Sequence, residues 1–284
     1  MTKFKTLLIL GFSLALSGCK MALLQPKGMI AAAEKNLLID AVLLMLIVVI
    51  PVIFMSLLFT WRYRVKNESA KYAPNWAHSN ALEAVCWIVP IIIIGILAVM
   101  TWITTHKLDP YRPLANKKKP VIIEVIALDW KWLFIYPKQD IATVNFMEIP
   151  TNVPVRLLVT ADAPMNSIQI PQLAGQIYAM PGMRTKLNFI ANANGSYDGF
   201  SANFSGEGFS GMKFIVKAVP TAEYNNWIQH VKTLPTQLTV ARYNQLAKPS
   251  ENNKPEYFSA TANNLFNKVM MKYMGPDMKM SKNQ

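Results

Sequence analysis

Two long uncharged runs dominate the hydrophobic pattern of this chain, Ala41 to Trp61 and Ala84 to Thr105. Each supplies the roughly 20 apolar residues that a bilayer-spanning helix requires, so the pattern predicts transmembrane helices over 41–61 and 84–105. Pro90 and Gly95 interrupt the second run, and spanning helices tolerate both. The segment between them, 62–83, carries Arg62, Arg64, Lys66 and Lys71 against Glu68 and Glu83, a balance that favours the cytoplasm. Trp61, Trp76, Trp87 and Trp102 fall at or near the helix ends, as an interfacial aromatic belt predicts.

Beyond a proline-bearing linker, Asp109 to Pro120, the long runs give way to short ones separated by turn residues. Val121 to Leu128, Trp130 to Tyr136, Val144 to Ile149, Val153 to Thr160, Arg184 to Ile190, Tyr197 to Phe204 and Met212 to Val219 read as strands. About seven short strands in some hundred residues predict an all-β Greek-key sandwich over 106–220. Past Pro220 the period changes again. Tyr224, Trp227, Ile228 and Val231 form one helical face, and Leu265, Phe266, Val269, Met270, Tyr273 and Met274 form another, so 221–284 reads as a helical C-terminal extension with a loose tail after Gly275.

The N-terminus has a third character. Lys3 and Lys5 precede an apolar run, Leu7 to Leu16, that is too short to span a bilayer and predicts a signal peptide over 1–18. Leu16, Ser17, Gly18 and Cys19 resemble the bacterial lipobox, in which the cysteine is acylated and becomes the mature N-terminus. On that resemblance 19–40 is a lipid-anchored exported segment. Positive charge alone leaves the orientation open, because Lys107, Arg112 and Lys117 to Lys119 follow the second helix. The signal peptide decides it: an exported N-terminus and two spans place the C-terminal domain in the periplasm.

Composition agrees with the membrane assignment. With 52% hydrophobic and 16% charged residues the chain is more apolar than soluble domains, which average about 25% charged. Its formal net charge of +13 is scattered singly apart from Lys117 to Lys119, which suits a membrane surface or a protein partner rather than a nucleic-acid groove. The two cysteines, Cys19 and Cys86, lie in different hydrophobic segments, so no disulfide framework holds the exported domain, and Cys86 reads as a small apolar filler.

The candidate chemistry lies in Gly199 to Met212, which presents Ser201, Ser205, Phe209 and Met212 at intervals of four, four and three between two strands. The loop resembles that of subunit II of the haem-copper oxidases, where Cys, Cys, His and Met at these intervals hold the two-copper centre CuA. Asn166 stands where that family has its upstream histidine. Asp129-Trp130-Lys131-Trp132 resembles the aromatic segment of the electron-accepting face, and Pro171 with Met180-Pro181-Gly182 resembles the strand and turn after the first copper ligand. The order of lipobox, two spans, cupredoxin-like sandwich and helical extension is similar, over nearly the whole chain, to subunit II of the cytochrome bo type ubiquinol oxidases.

The resemblance implies that Asn166, Ser201, Ser205, Phe209 and Met212 are degenerate CuA positions. Copper in such a loop needs thiolate and imidazole donors, and the exported domain offers no cysteine and, after His106 at its root, only His230. The expectation is a subunit without a cofactor of its own and with no cytochrome c partner. Haems, copper and ubiquinol belong, by the resemblance, to the large subunit I, its expected partner with the other oxidase subunits and membrane lipid. Phe209 is expected to be buried where a metal would otherwise sit. The resemblance also sets Glu83 at the mouth of a proton pathway, while the residues themselves equally allow an N-cap, Asn80 with Glu83 at N3, favoured by the helix dipole. Two alternatives stay open: a true CuA subunit of a cytochrome c oxidase, and an exported cupredoxin-like chaperone or assembly factor. Met165, Met180, Met183 and Met212 are spread between strands and form no methionine cluster of the kind a copper chaperone displays.

Overall fold

Helix α1, Met29–Arg62, runs 34 residues, about 51 Å at 1.5 Å per residue, well beyond the expected span at 41–61. Its added N-terminal turns, rich in alanine, carry Glu34, Lys35 and Asp40 outside the apolar run. Helix α2, Asn80–Lys107, likewise exceeds 84–105 by a turn or less at each end. Both helices are apolar almost all round and long enough to cross a membrane. Ala31 and Ile93 are their sole buried residues. The computed structural model describes residues 21–274, apart from 68, 70–72, 74, 115 and 117. Residues 1–20, which hold the expected signal peptide and Cys19, and residues 275–284, the expected tail, lie outside that range.

The two long helices from Ala33 to Asp109 form one unit, and the β-sandwich domain with the segment up to Ala32 forms another. In the latter, eleven strands among the described residues make two sheets. In chain order they are β1 (Val121–Leu128), β2 (Lys131–Tyr136), β3 (Ile141–Val144), β4 (Phe146–Pro150), β5 (Val155–Ala161), β6 (Asn166–Ile170), β7 (Ala174–Ala179), β8 (Thr185–Phe189), β9 (Gly195–Ser201), β10 (Lys213–Val219) and β11 (Glu256–Phe258). One sheet has the order β11-β3-β2-β1-β5-β8 and the other β4-β10-β9-β6-β7. The pairs β1 with β5 and β4 with β10 are parallel, and the other ladders are antiparallel. Between the sheets lie Trp132, Phe134, Tyr136, Phe189 and Phe214, all buried, the aromatic share of a cupredoxin-like core.

Three helices follow: α3 (Thr221–Lys232), α4 (Val240–Leu246) and α5 (Leu265–Met271). The predicted face of α3 is buried through Tyr224, Ile228 and Val231. Leu238, Tyr243, Leu246, Phe258, Leu265 and Phe266 pack on Ile126, Leu128, Leu133 and Ile135, the outer face of the larger sheet, and make a second core. The extension is therefore integral to the domain. The segment before α1 is pegged to it too: Lys27 and Gly28 amides donate to the Gln172 carbonyl at 2.7 and 3.0 Å, and the Asn192 amide donates to the Lys27 carbonyl at 2.7 Å. Gly28 has no room for a side chain, since a Cβ there would stand 2.4 Å from the Leu173 carbonyl oxygen.

Candidate functional site at the β9–β10 loop

Ser201 closes β9 and Met212 immediately precedes β10, so the loop leaves and re-enters one sheet at adjacent strands. The Ser201 amide donates to the Met212 carbonyl at 3.1 Å and seals the base of the loop. Asn166 opens β6, the other neighbour of β9, and the ladder that pairs Ile168 with Ser201 brings it close. Inside the fold the Ser201 hydroxyl donates to Asn166 Oδ1 at 3.0 Å, and Asn166 Nδ2 donates to the Pro164 carbonyl at 2.8 Å. Both side chains are buried.

The remaining loop positions are placed differently. Met212 is fully buried in the main core. Ser205 lies inside the loop, with its carbonyl accepting from Trp130 Nε1 at 3.2 Å and its own hydroxyl oxygen buried without a hydrogen-bond partner among the described residues. Phe209 departs from expectation. It sits in the one-turn helix Glu207–Gly211 and is half-buried, not buried. Its ring packs edge to face against Phe204 with centroids 5.6 Å apart, and Phe204 is 76% exposed, so the pair caps the end of the sandwich instead of filling it. Ser201, Phe209 and Met212 share the wall of a surface cavity of about 530 Å³, which Asn166 and Ser205 do not line.

What holds the loop was not singled out by the ligand spacing. Trp130, in the two-residue turn between β1 and β2, adopts φ 62°, a left-handed conformation rare for a bulky residue. Its indole covers the loop glycines. Gly206 has φ 113°, and a Cβ at Gly208 would come within 2.5 Å of Trp130 Cδ2 and 2.7 Å of Glu251 Cγ. A Cβ at Gly211 would meet Asn252 Oδ1 at 2.6 Å. The loop is thus held between Trp130 and the 251–252 segment of the extension, and its glycines are needed because backbone meets side chain there.

Two buried charges fasten the extension behind this loop. Lys131 is 0% exposed, and its ammonium donates to the carbonyls of Leu246 at 2.9 Å and Lys248 at 2.7 Å, capping the C-terminal end of α4. Burial lowers its pKa, opposed by the nearby carboxylates Asp129 and Glu256. Asp162 accepts from Tyr243 Oη at 2.6 Å, Tyr273 Oη at 2.5 Å and Lys272 Nζ at 2.7 Å, three donors from the extension on one carboxylate. Burial pushes Asp162 up, but those hydrogen bonds outweigh it and hold its pKa below the ordinary carboxylate value.

As donors for copper these residues do not fit. The Ser201 hydroxyl and Asn166 amide are engaged with each other, Phe209 has no donor atom, and what remains is the Ser205 hydroxyl and the Met212 thioether, with no thiolate or imidazole. Among the described residues no group of three or more His, Cys, Asp or Glu is arranged to hold a metal ion.

Glu83 lies in the first turn of α2, where Ser79 is the N-cap residue and its side chain makes no capping hydrogen bond. The Glu83 amide donates to the Ser79 carbonyl at 3.0 Å, which makes Glu83 the fourth helical residue and removes the Asn80-to-Glu83 capping arrangement. Its carboxylate is exposed and stands 3.9 Å from His78 Nδ1, also exposed.

Comparison with known proteins agrees with this architecture. The family described as "Cytochrome C oxidase subunit II, periplasmic domain" matches residues 133–219, and that described as "COX Aromatic Rich Motif" matches 232–277. The chain is 54% identical to cytochrome bo(3) ubiquinol oxidase subunit 2 of Pseudomonas aeruginosa, covering 92% of this chain and 79% of that one. It is 49% identical to ubiquinol oxidase subunit 2 of Acetobacter aceti over 93% of this chain and 86% of the relative. Quinol oxidase subunit 2 of Bacillus cereus is 39% identical, with 87% and 86% covered. Two apolar helices followed by a buried-core sandwich with a fastened extension, and relatives of that identity over nearly the full length, lead to one assignment: the chain belongs to the ubiquinol oxidase subunit II family of the haem-copper oxidases, a component of an oxidoreductase complex.

Proposed function

We propose that this subunit carries no redox centre and serves a proton-translocating ubiquinol oxidase through assembly, surface and proton uptake. The observation that carries this reading is the Ser201 to Asn166 hydrogen bond, which engages two of the five side chains at copper-ligand positions with each other. Oxygen ligands of this kind are poor hosts for copper where thiolate and imidazole are required. A cytochrome c oxidase needs a metal at this surface to accept electrons from a soluble protein. A quinol is lipid-soluble and delivers its electrons within the membrane, so the exported domain is bypassed and cytochrome c is not a partner.

In this reading the haems, the oxygen-reducing copper and the quinol reside in the large subunit, against which α1 and α2 pack. Cys19 is the lipid-modified N-terminus after removal of 1–18, 62–83 faces the cytoplasm, and 106–284 faces the periplasm of a bacterial inner membrane. Glu83 then stands on the side from which protons are taken up, exposed at a helix start and available to relay them. Detergent purification through a tag on this subunit tests the assignment. Co-elution with a haem-bearing large subunit, quinol-dependent oxygen consumption and the absence of a near-infrared CuA band are expected. Two coppers bound by this chain would overturn it.

A further inference from the structure

A second cavity, of about 410 Å³, opens between the smaller sheet and α3, lined by Phe146, Glu148, Lys217, Trp227, His230 and Tyr257. At its floor is Glu148, 2% exposed, the second most unusual burial in the domain after Lys131. Its backbone is fixed from below: the Tyr136 hydroxyl donates to the Glu148 carbonyl at 2.9 Å and accepts from the Glu148 amide at 3.0 Å. Its carboxylate is satisfied only in part. Oε1 has no hydrogen-bond partner among the described residues, nor has the buried Tyr224 hydroxyl. Lys217 Nζ forms an ion pair with Glu148 Oε2 at 3.7 Å, beyond hydrogen-bond length, and donates a hydrogen bond to Glu223 Oε1 at 3.1 Å. The walls are aromatic: Phe146 and Trp227 have centroids 6.1 Å apart, and Phe146 and Tyr257 5.6 Å.

A buried carboxylate left short of donors is costly. Aromatic faces with a carboxylate at their base make an environment for an organic cation. Lys217, 43% exposed, stands between Glu148 and Glu223 on a flexible four-carbon stem. Glu148, Lys217 and Glu223 together hold two carboxylates against one ammonium, on a strongly basic chain. We propose that this cavity binds an organic monocation, a guanidinium or alkylammonium group, which displaces Lys217 from Glu148 and lodges its carbon portion among Phe146, Trp227 and Tyr257. The forked donors of a guanidinium satisfy both oxygens of one carboxylate, which Lys217 does not do.

Equilibrium dialysis of labelled benzamidinium against the full-length chain in neutral detergent tests the site. One saturable site per chain is expected. Glu148→Gln should weaken it at least tenfold, and Lys217→Ala, which removes the competing ammonium, should tighten it several-fold. Trp227→Leu, which takes away one wall while leaving the carboxylate, should weaken it and serves where Glu148→Gln does not fold. The source of the cation is then read by competition. Displacement by nanodiscs of phosphatidylethanolamine but not phosphatidylglycerol assigns a lipid amine headgroup, and displacement by soluble arginine methyl ester alone assigns a free amine. Absence of saturable binding, equal affinity in wild type and both Glu148→Gln and Trp227→Leu, or equal displacement by phosphatidylglycerol overturns the proposal.

Discussion

The Ser201 hydroxyl donates to Asn166 Oδ1 at 3.0 Å across two neighbouring strands, both side chains being buried. In a site built for metal these two atoms would face outward toward a common ion. Here they satisfy one another, and the pair is structural. Ser201→Ala leaves Asn166 Oδ1 buried without its donor, a loss of about 1–3 kcal/mol for an unsatisfied buried acceptor. Denaturant unfolding of the full chain should show that loss, while quinol oxidase turnover of the assembled complex stays at the wild-type level.

Lys131 is the largest buried charge in the domain, and it holds two carbonyls at the end of α4. Replacing it by methionine keeps the volume and removes both charge-assisted hydrogen bonds, each worth about 1.5–3 kcal/mol. Limited proteolysis of Lys131→Met should therefore cut within 240–274 before the sandwich is attacked. Simultaneous loss of sandwich and extension would show the two to be a single cooperative unit.

Asp162 sets a pH dependence for the same extension. Because its folded-state pKa lies below the ordinary value of 3.8, its contribution is complete above that value and is lost as pH falls through the lowered one. Asp162→Asn should destabilise the extension at neutral pH, and the gap between mutant and wild type should shrink below about pH 4. A gap that stays constant down to pH 2 would mean that the carboxylate charge is not what Tyr243, Lys272 and Tyr273 read.

Gly208 is closed in on both sides, by Trp130 and by Glu251. Gly208→Ala must shift both, at a cost of about 1–3 kcal/mol for overpacking. Trp130 fluorescence should report the shift, and pairing the mutation with Glu251→Gly should recover part of the stability.

Glu83 is tested in the assembled complex. Glu83→Ala is expected to slow turnover and proton uptake while leaving subunit stoichiometry unchanged, and Glu83→Asp to retain an intermediate rate. Unchanged turnover and uptake in both would remove Glu83 from the proton path.

Legibility in the sequence follows the range of the interactions. Helices α1 and α2 were evident because twenty uncharged apolar residues have few other fates. Strands β1, β2, β4, β5, β8, β9 and β10 were evident because their apolar runs are bounded by turn residues. Strands β6 and β7 were not: NSIQI and AGQIYA are polar and short, and their pairing depends on β9 arriving from elsewhere. Strand β3 was hidden beside β4, with Asn145, at φ 52°, as the break between them. The one-sided burial of α3 was read correctly at Tyr224, Ile228 and Val231, with Trp227 half-buried, whereas α4, seven residues long, showed too little periodicity to register.

The candidate loop divides in the same way. Its length, its ligand spacing and the poverty of copper donors were decided by sequence alone, because donor chemistry belongs to the residue type. Where those residues point belongs to the tertiary structure. Trp130 lies 75 residues from the Ser205 carbonyl it binds, Asn166 lies 35 from Ser201, and Lys131 lies 115 from Leu246. Phe209 was expected inside and is half-buried, its ring lying on Phe204 beside the cavity that it shares with Ser201 and Met212. Residue types determine which bonds are chemically available, and only the folded chain, by bringing distant segments into contact, decides which of them are made.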